Sequence, residues 1–441
     1  MIGNPPYIRQ EELSNIKSYL QTNYETFAGT ADLYVYFVER GMNVVRNNGA
    51  FIYILPNKWM RAGYGSKLRS WVKQFSIDSI IDFGDLPVFE EATTYPCLWA
   101  IKKTAPKSTK FDASIIDTLS FPNGLANYVQ EKKFEVNQQQ LPESGWTLVN
   151  ESIQNLLQKI KDIGVPLGEY VDGKIFYGIK TGLNEAFIID EVTKNRLITE
   201  DSKSAEFIKP FLGGRDIKRY QHPKVVNHII LIPKGFTIKR NLSPDDPNYI
   251  SEAMPRYGNM DVNDAWSWFS INYPAISKYI LPFKEKAEVR TDQGDFWWEL
   301  RACDYYDEFE KQKIVWPETS LDNQFTFINS SIYLNKTTFF IPSHDIAILG
   351  LLNSKLAKFY LNSIVSKMRG GYFSLSKAYV ETTPIPLTLE KSAIGIIVEK
   401  IFAQNKSNPE AEISNFEKQI DRLVYELYEL SEAEIKMIEN E

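Results

Sequence analysis

Cysteine is nearly missing from this chain: Cys97 and Cys303 are the only two in 441 residues. That excludes a disulfide framework or a thiolate zinc site, and it fits a reducing compartment. Histidine is also scarce, with His222, His228 and His344 scattered along the sequence, so a metal centre built on imidazoles is not expected. Asp32, Asp82 and Asp85 have no histidine or cysteine beside them to make one. No apolar run approaches membrane-spanning length, and no signal-peptide pattern is read ahead of the first motif. There is no P-loop, no Walker lysine, no Ser/His/Asp signature, no PD-(D/E)XK-type nuclease signature, no internal repeat and no low-complexity tract. An excess of positive charge is missing too: 50 Lys and Arg face 56 Asp and Glu, a net charge of −6. That argues only weakly against a nucleic-acid partner, because a basic face can coexist with acidic surfaces elsewhere. The expectation is a soluble cytoplasmic protein with no metal and no membrane partner.

What is present is ordinary for a globular chain of roughly two or three domains. Apolar residues make up 43% and aromatics 13%, enough for large cores or stacking surfaces. Residues 31–48 carry apolar side chains at helical spacing up to Gly49, and residues 50–55 read as a buried strand stopped by Pro56. Residues 62–75 predict a second helix, 79–83 a second strand and 95–101 a third, an alternation that implies an α/β layer. Residues 104–150 read as irregular and mark a boundary. From Val171 onward short strands, aromatics and turns predict a mixed, largely β unit with long loops near 241–300. Helix returns over 345–362. Near the end Ile413, Phe416, Ile420, Leu423, Val424 and Leu427 form one helical stripe suited to packing, and Ser431 with Glu434 reads as a capping box.

Asn4-Pro5-Pro6-Tyr7 is the stretch that carries chemistry. Both prolines lack an N–H, and the residue before each is pushed into an extended conformation. The Asn side chain and a prolyl carbonyl are thereby left to accept from one exocyclic amino group on a planar base. Tyr7 supplies a stacking face for a base turned out of a duplex. A given tetrapeptide arises by chance on the order of once in 10^5 positions at average residue usage.

The motif resembles the catalytic loop of N6-adenine DNA methyltransferases, and the residues after it keep that family's order. Asp32-Leu33-Tyr34 opens a helix, a strand ends at Leu55-Pro56-Asn57-Lys58-Trp59, and Arg69 falls in the next helix. Phe83-Gly84-Asp85 and Val88-Phe89-Glu90-Glu91-Ala92-Thr93-Thr94-Tyr95 then look like the segment whose aromatic walls the flipped-base pocket. The resemblance implies that Asn4, Pro5, Pro6, Tyr7 and Phe89 form the catalytic group, with Phe89 stacking opposite Tyr7. It also implies S-adenosylmethionine as methyl donor and double-stranded DNA as partner.

Two later segments hold residue types suited to phosphates and base edges. Residues 178–190 include the turn-permitting Gly178 and Gly182 with Lys180, Thr181 and Asn184, and residues 209–220 include Gly213-Gly214-Arg215. Together they resemble the target-recognition domain of TaqI-like and type IIG restriction–modification enzymes. Residues 367–377 add Lys367, Arg369, a Gly pair, Ser374 and Lys377, a pattern suited to a loop pressed on DNA. The predicted DNA contacts are thus Lys180, Thr181, Asn184, Arg215, Lys367, Arg369, Ser374 and Lys377.

The fold class expected is α/β: a partial Rossmann-like methyltransferase sheet, then a mixed α+β target-recognition domain, then C-terminal helices. The expected divisions are 1–110 for the later half of the catalytic domain, 111–160 for a linker, 161–387 for target recognition and 388–441 for the helical tail. The family's main cofactor-binding motif precedes the catalytic loop and is expected to be absent from this chain. That leaves the cofactor-binding residues unknown and points to a fragment or to a separate polypeptide supplying that half. The strand at 50–55 is then expected to expose an unpaired edge. The alternative reading is a non-catalytic DNA-specificity protein acting with a partner enzyme.

Overall fold

The computed structural model describes residues 1–89, 94–241, 261–365, 371–408 and 411–440. The first unit is a six-stranded sheet in the order β1-β2-β4-β3-β5-β6. Its strands are β1 (Ile2–Gly3), β2 (Ala50–Pro56), β3 (Ser76–Asp82), β4 (Pro96–Lys102), β5 (Lys110–Ile115) and β6 (Phe134–Asn137). β4 runs antiparallel between β2 and β3, with Tyr53 and Ile80 both opposite Trp99. β2 and β4 alternate buried and partly exposed residues, as strands with unequal faces do. Helix Leu33–Val44 lies against β2, and Gly41 lets it come close: a Cβ there would sit 2.5 Å from the Phe51 ring. Below the sheet Trp59 stacks on Trp99 at 4.3 Å, with Trp146 edge-on to Trp59 at 5.1 Å.

Two expectations change here. β2 is not an open edge: Ile52 and Tyr53 pair in parallel with Ile2 and Gly3, and the Ile52 N–H donates to the Met1 carbonyl. A two-residue strand directly before a proline motif is too short to show any periodicity. Residues 104–150 are also not irregular. They supply β5 and β6 to the same sheet, with helix Leu125–Lys132 between them in sequence, so the stretch set aside as a linker starts as part of the first unit.

Two four-stranded sheets come next. One has the order β15-β10-β11-β9, the other β14-β12-β16-β8. Their members are β8 (Phe176–Tyr177), β9 (Ile188–Asp190), β10 (Ile208–Leu212), β11 (Asn227–Ile230), β12 (Lys313–Pro317), β14 (Thr326–Ile328), β15 (Tyr333–Leu334) and β16 (Thr338–Pro342). β13 (Thr319–Ser320) pairs with β17 (Phe373–Ser374), and β7 (Val165–Pro166) pairs with β18 (Pro384–Ile385). Helices Ala347–Leu352 and Lys355–Ile364 cover the 345–362 stretch as predicted, broken at Asn353–Ser354. The predicted stripe lies on helix Ser414–Leu427 and packs within this chain: Ile420 and Val424 are buried in one core with Leu349, Leu356 and Ile160. Ser431 and Glu434 form the predicted capping box.

Lys313 on β12 is fully buried, and its ammonium donates to the carbonyls of Phe309, Lys311 and Ser330 at 2.7, 2.9 and 3.0 Å. Lys313→Met strands three buried acceptors and should cost about 3 kcal/mol in urea denaturation. Burial pushes the Lys313 ammonium down to about 8, against 10.5 when free, with Glu310 opposing. The native value lies below the unfolded one, so the charged form penalises folding. That penalty is complete below pH 8 and fades as pH rises toward 10.5. The stability gap between wild type and Lys313→Met should therefore widen from about pH 7.5 to about 9.5; a gap that narrows would refute the assignment.

Candidate functional site

The Asn4–Tyr7 loop leaves the end of β1 and is fixed at both sides. Pro5 is buried, whereas Asn4 and Pro6 are exposed. The Leu33 N–H donates to the Ile8 carbonyl, and the Gln10 N–H donates to Asp32 Oδ1 at 3.0 Å. Asp32, at the start of helix Leu33–Val44, thus holds the loop rather than capping its own helix. The Tyr7 hydroxyl donates to the Ile54 carbonyl of β2 at 3.1 Å, and its ring meets the edge of Tyr34 at 6.5 Å. Burial, with Cys97 adding, pushes the Tyr7 phenol up to about 12, so it is a neutral donor at physiological pH. The Asn4 amide makes no hydrogen bond among the described residues and is free to grip a ligand.

The facing wall rises from the end of β3. Asn57 Nδ2 donates to Asp82 Oδ1 at 2.8 Å and to the Gly84 carbonyl at 3.2 Å, and the Gly84 N–H donates to the same Asp82 oxygen. Gly84 has φ +56°, a left-handed conformation that costs glycine little. This bend carries the chain through Leu86 and Val88 to Phe89. The Phe89 ring lies 6.4 Å from the Tyr7 ring at an interplanar angle of 60°. The predicted pair is brought together, though a planar base between them needs parallel rings about 7 Å apart, two van der Waals contacts. Phe89 must therefore turn and move out slightly to admit one. Glu90, Glu91, Ala92 and Thr93 lie outside the described residues.

Arg69 braces this side from behind. It is fully buried, and its guanidinium donates to the carbonyls of Trp59, Ala62 and Glu143. Burial pushes it down to about 10, so it stays charged near neutrality. A cavity of about 600 Å³ lies elsewhere, lined by Trp146, Gln154, Lys161, Tyr360 and Pro384; no predicted site residue lines it.

The second group of predicted residues falls on a connected set of turns. A Cβ on Gly178 would lie 1.9 Å from the Asn335 carbonyl oxygen, so only glycine fits there. The Ile179 N–H donates to the Leu334 carbonyl, and the Asn335 N–H donates to that of Leu212. Gly214, beside Arg215, packs against the Thr337 carbonyl. That carbonyl also accepts from Glu318, and the Glu318 carbonyl accepts from Leu375 next to Ser374. Turns 178–184, 213–216 and 335–337 and the end of β17 thus form one chain of contacts. Arg215 and Lys336 are exposed and make no ion pair among the described residues.

Other predicted residues sit differently. Thr181 is buried, with its hydroxyl donating to Asn184 Oδ1 at 2.6 Å and accepting from the Leu183 N–H. It holds the turn from within, and only Asn184 of that pair is exposed. The Lys377 ammonium donates to the Ile175 carbonyl at 3.0 Å, which ties it to the protein. Lys367 and Arg369 lie outside the described residues.

Sequence reading missed the support under Lys180. The buried Arg290 donates to the carbonyls of Thr181, Trp297 and Glu299 and lies over the Phe187 ring at 4.3 Å. Asp292 pairs with Lys180 at 2.8 Å and with Arg301 at 3.4 Å. Burial opposes its charge, yet these two cations hold the Asp292 carboxyl below its ordinary value. These partners stand more than a hundred residues beyond Lys180, and only Gly178 and Gly182 signalled that something must pack closely against the turn.

Residues 1–89 match the family model of Eco57I restriction-modification methylases, and residues 209–385 match that of the TaqI-like C-terminal specificity domain. The chain is 22% identical over 469 residues to type II methyltransferase M.BstVI of Geobacillus stearothermophilus, covering 100% of this chain and 75% of the relative. It is 22% identical over 456 residues to type II methyltransferase M.XhoI of Xanthomonas vasicola, covering 98% and 75%. Among solved structures, the type IIL restriction-modification enzyme MmeI in complex with DNA shares the fold with a TM-score of 0.61 at 13% identity. That match covers all of this chain and 56% of the MmeI chain, so this chain spans little more than half of that enzyme.

Proposed function

We propose that this chain holds the base-capturing and DNA-reading parts of a site-specific DNA methyltransferase of a restriction–modification system, acting on N6 of a flipped adenine. The observation that carries the reading is the meeting of the Tyr7 and Phe89 rings at 6.4 Å, with Asn4 exposed and free of hydrogen bonds among the described residues three positions before Tyr7. The matches to a methylase family and to a specificity domain support it, as does the DNA-bound relative of the same fold. Tyr7 and Phe89 sandwich the base, and Asn4 with the Pro5 carbonyl accepts from its amino group. That builds electron density on N6 and aligns its lone pair, so this side of the catalysis is positioning.

S-adenosylmethionine is the methyl donor in this reading. β1 is an edge strand of its sheet among the described residues, and Ile2 is 83% exposed there. Further strands carrying the donor site, from the same or a separate polypeptide, would pair along that edge.

The test is incubation of the protein with S-adenosylmethionine and plasmid DNA, followed by mass spectrometry of the digested nucleosides. N6-methyladenine is the expected product. Cytosine also presents an exocyclic amino group, so N4-methylcytosine would overturn the adenine assignment. No cofactor binding in calorimetry, together with salt-sensitive DNA binding, would favour a specificity protein that serves a partner enzyme.

A further inference from the structure

Lys180 does not stand alone. Its ammonium takes Asp292 Oδ2 at 2.8 Å, and Arg301 Nη1 takes Oδ1 of the same carboxylate at 3.4 Å. Two cations from sequence-distant loops are thereby fixed side by side. Each keeps 42% of its side-chain surface exposed, while the Asp292 side chain keeps 11%. The carboxylate faces inward: Gly182, at φ +70°, leaves room for Asp292 Cβ, which a Cβ on the glycine would meet at 3.1 Å. Arg301 Nη2 also reaches the exposed Tyr177 hydroxyl at 3.5 Å, and the Tyr305 hydroxyl donates to the Tyr177 carbonyl at 3.2 Å. Two cations over one recessed carboxylate leave positive charge on the outer side.

We propose that Arg301 and Lys180 together bind one DNA backbone phosphate, and that Asp292 is the positioning residue that presents both. This rests on the DNA-reading role proposed above and adds to it a ligand and a support. Arginine offers a planar fork and lysine a point charge, a combination suited to holding one phosphate from two sides. Neither group reads a base here, so the contact sets register rather than sequence.

The experiment is fluorescence anisotropy of the full chain on a duplex of about 30 base pairs across a salt series, with thermal melts of each variant. Wild type should bind with affinity that falls steeply with salt; absence of such binding would overturn the DNA-reading role and this proposal with it. Arg301→Gln should lower the salt slope by about one and weaken different duplexes equally. Wild-type slope and affinity in Arg301→Gln, beside a wild type that binds, would overturn this proposal alone. Asp292→Asn separates positioning from screening. Removing a negative charge tightens DNA binding if Asp292 merely neutralises its neighbours; if it positions them, binding weakens and the slope falls although the surface has become more positive. Arg301 is partly exposed, so its substitution leaves the core in place and its result stands even where Asp292→Asn melts early.

Discussion

Methyl transfer by an Asn4→Ala variant should fall by about 10^3-fold while duplex affinity stays at its wild-type value. Asn4 is exposed and bonds to nothing among the described residues, so its removal leaves no stranded partner and no cavity. The effect should therefore land on chemistry rather than stability. Deleting one preorganised polar contact to a group whose charge changes in the transition state typically costs about 10^2- to 10^3-fold, and in the proposed role Asn4 also orients the base. Single-turnover methyl transfer gives the rate, and anisotropy gives the affinity. A variant within tenfold of wild type in rate would remove Asn4 from the catalytic group.

Gly178→Ala should destabilise the protein by about 3 kcal/mol and weaken DNA binding more than tenfold. The added Cβ would lie 1.9 Å from the Asn335 oxygen and 2.5 Å from that of Leu334. Both are backbone atoms that cannot swing away, so the contact parts two chain segments, which puts the cost at the upper end for overpacking. The segments forced apart are those that align Lys180 with Arg215 and Lys336. Gly29→Ala is the control: Gly29 is exposed with nothing within 4 Å of an added Cβ, so its stability should stay within about 0.5 kcal/mol of wild type. Denaturant melts and anisotropy on both variants check this, and equal stability of the two would refute it.

Much of the first unit was legible because its elements are long and periodic. Helix Leu33–Val44 and strands β2, β3 and β4 fall within a few residues of where the pattern put them. The meeting of Tyr7 and Phe89 came from motif order rather than spacing, since 82 positions separate them. β1 escaped because two residues carry no period. β5 and β6 alternate polar and apolar residues as strands do, but they escaped because each is short and its neighbours read as loop. In the second unit, residue type suggested candidates, and burial shows which of those side chains are exposed. Thr181 and Lys377 have the chemistry of DNA ligands, but Thr181 is buried and the half-buried Lys377 is tied to the Ile175 carbonyl. Arg301 and Lys336, unremarkable in sequence, are at least partly exposed beside the turns that Lys180 and Arg215 occupy. Such placements depend on contacts between turns more than a hundred residues apart, which no local window contains.

The pairing of β7 with β18 has a consequence for how such a protein can change over generations. Val165–Pro166 and Pro384–Ile385 lie side by side, so the chain enters and leaves the intervening region at one place. Once that ladder is closed, lengthening a surface loop within it adds little: each doubling of a flexible loop costs only about 0.6 kcal/mol. Where such a loop stands clear of the close contacts at Gly178 and Gly214, a change in its length leaves the two ends of the region in place. A lineage can therefore vary the surface loops of this region without lengthening the path between its two ends.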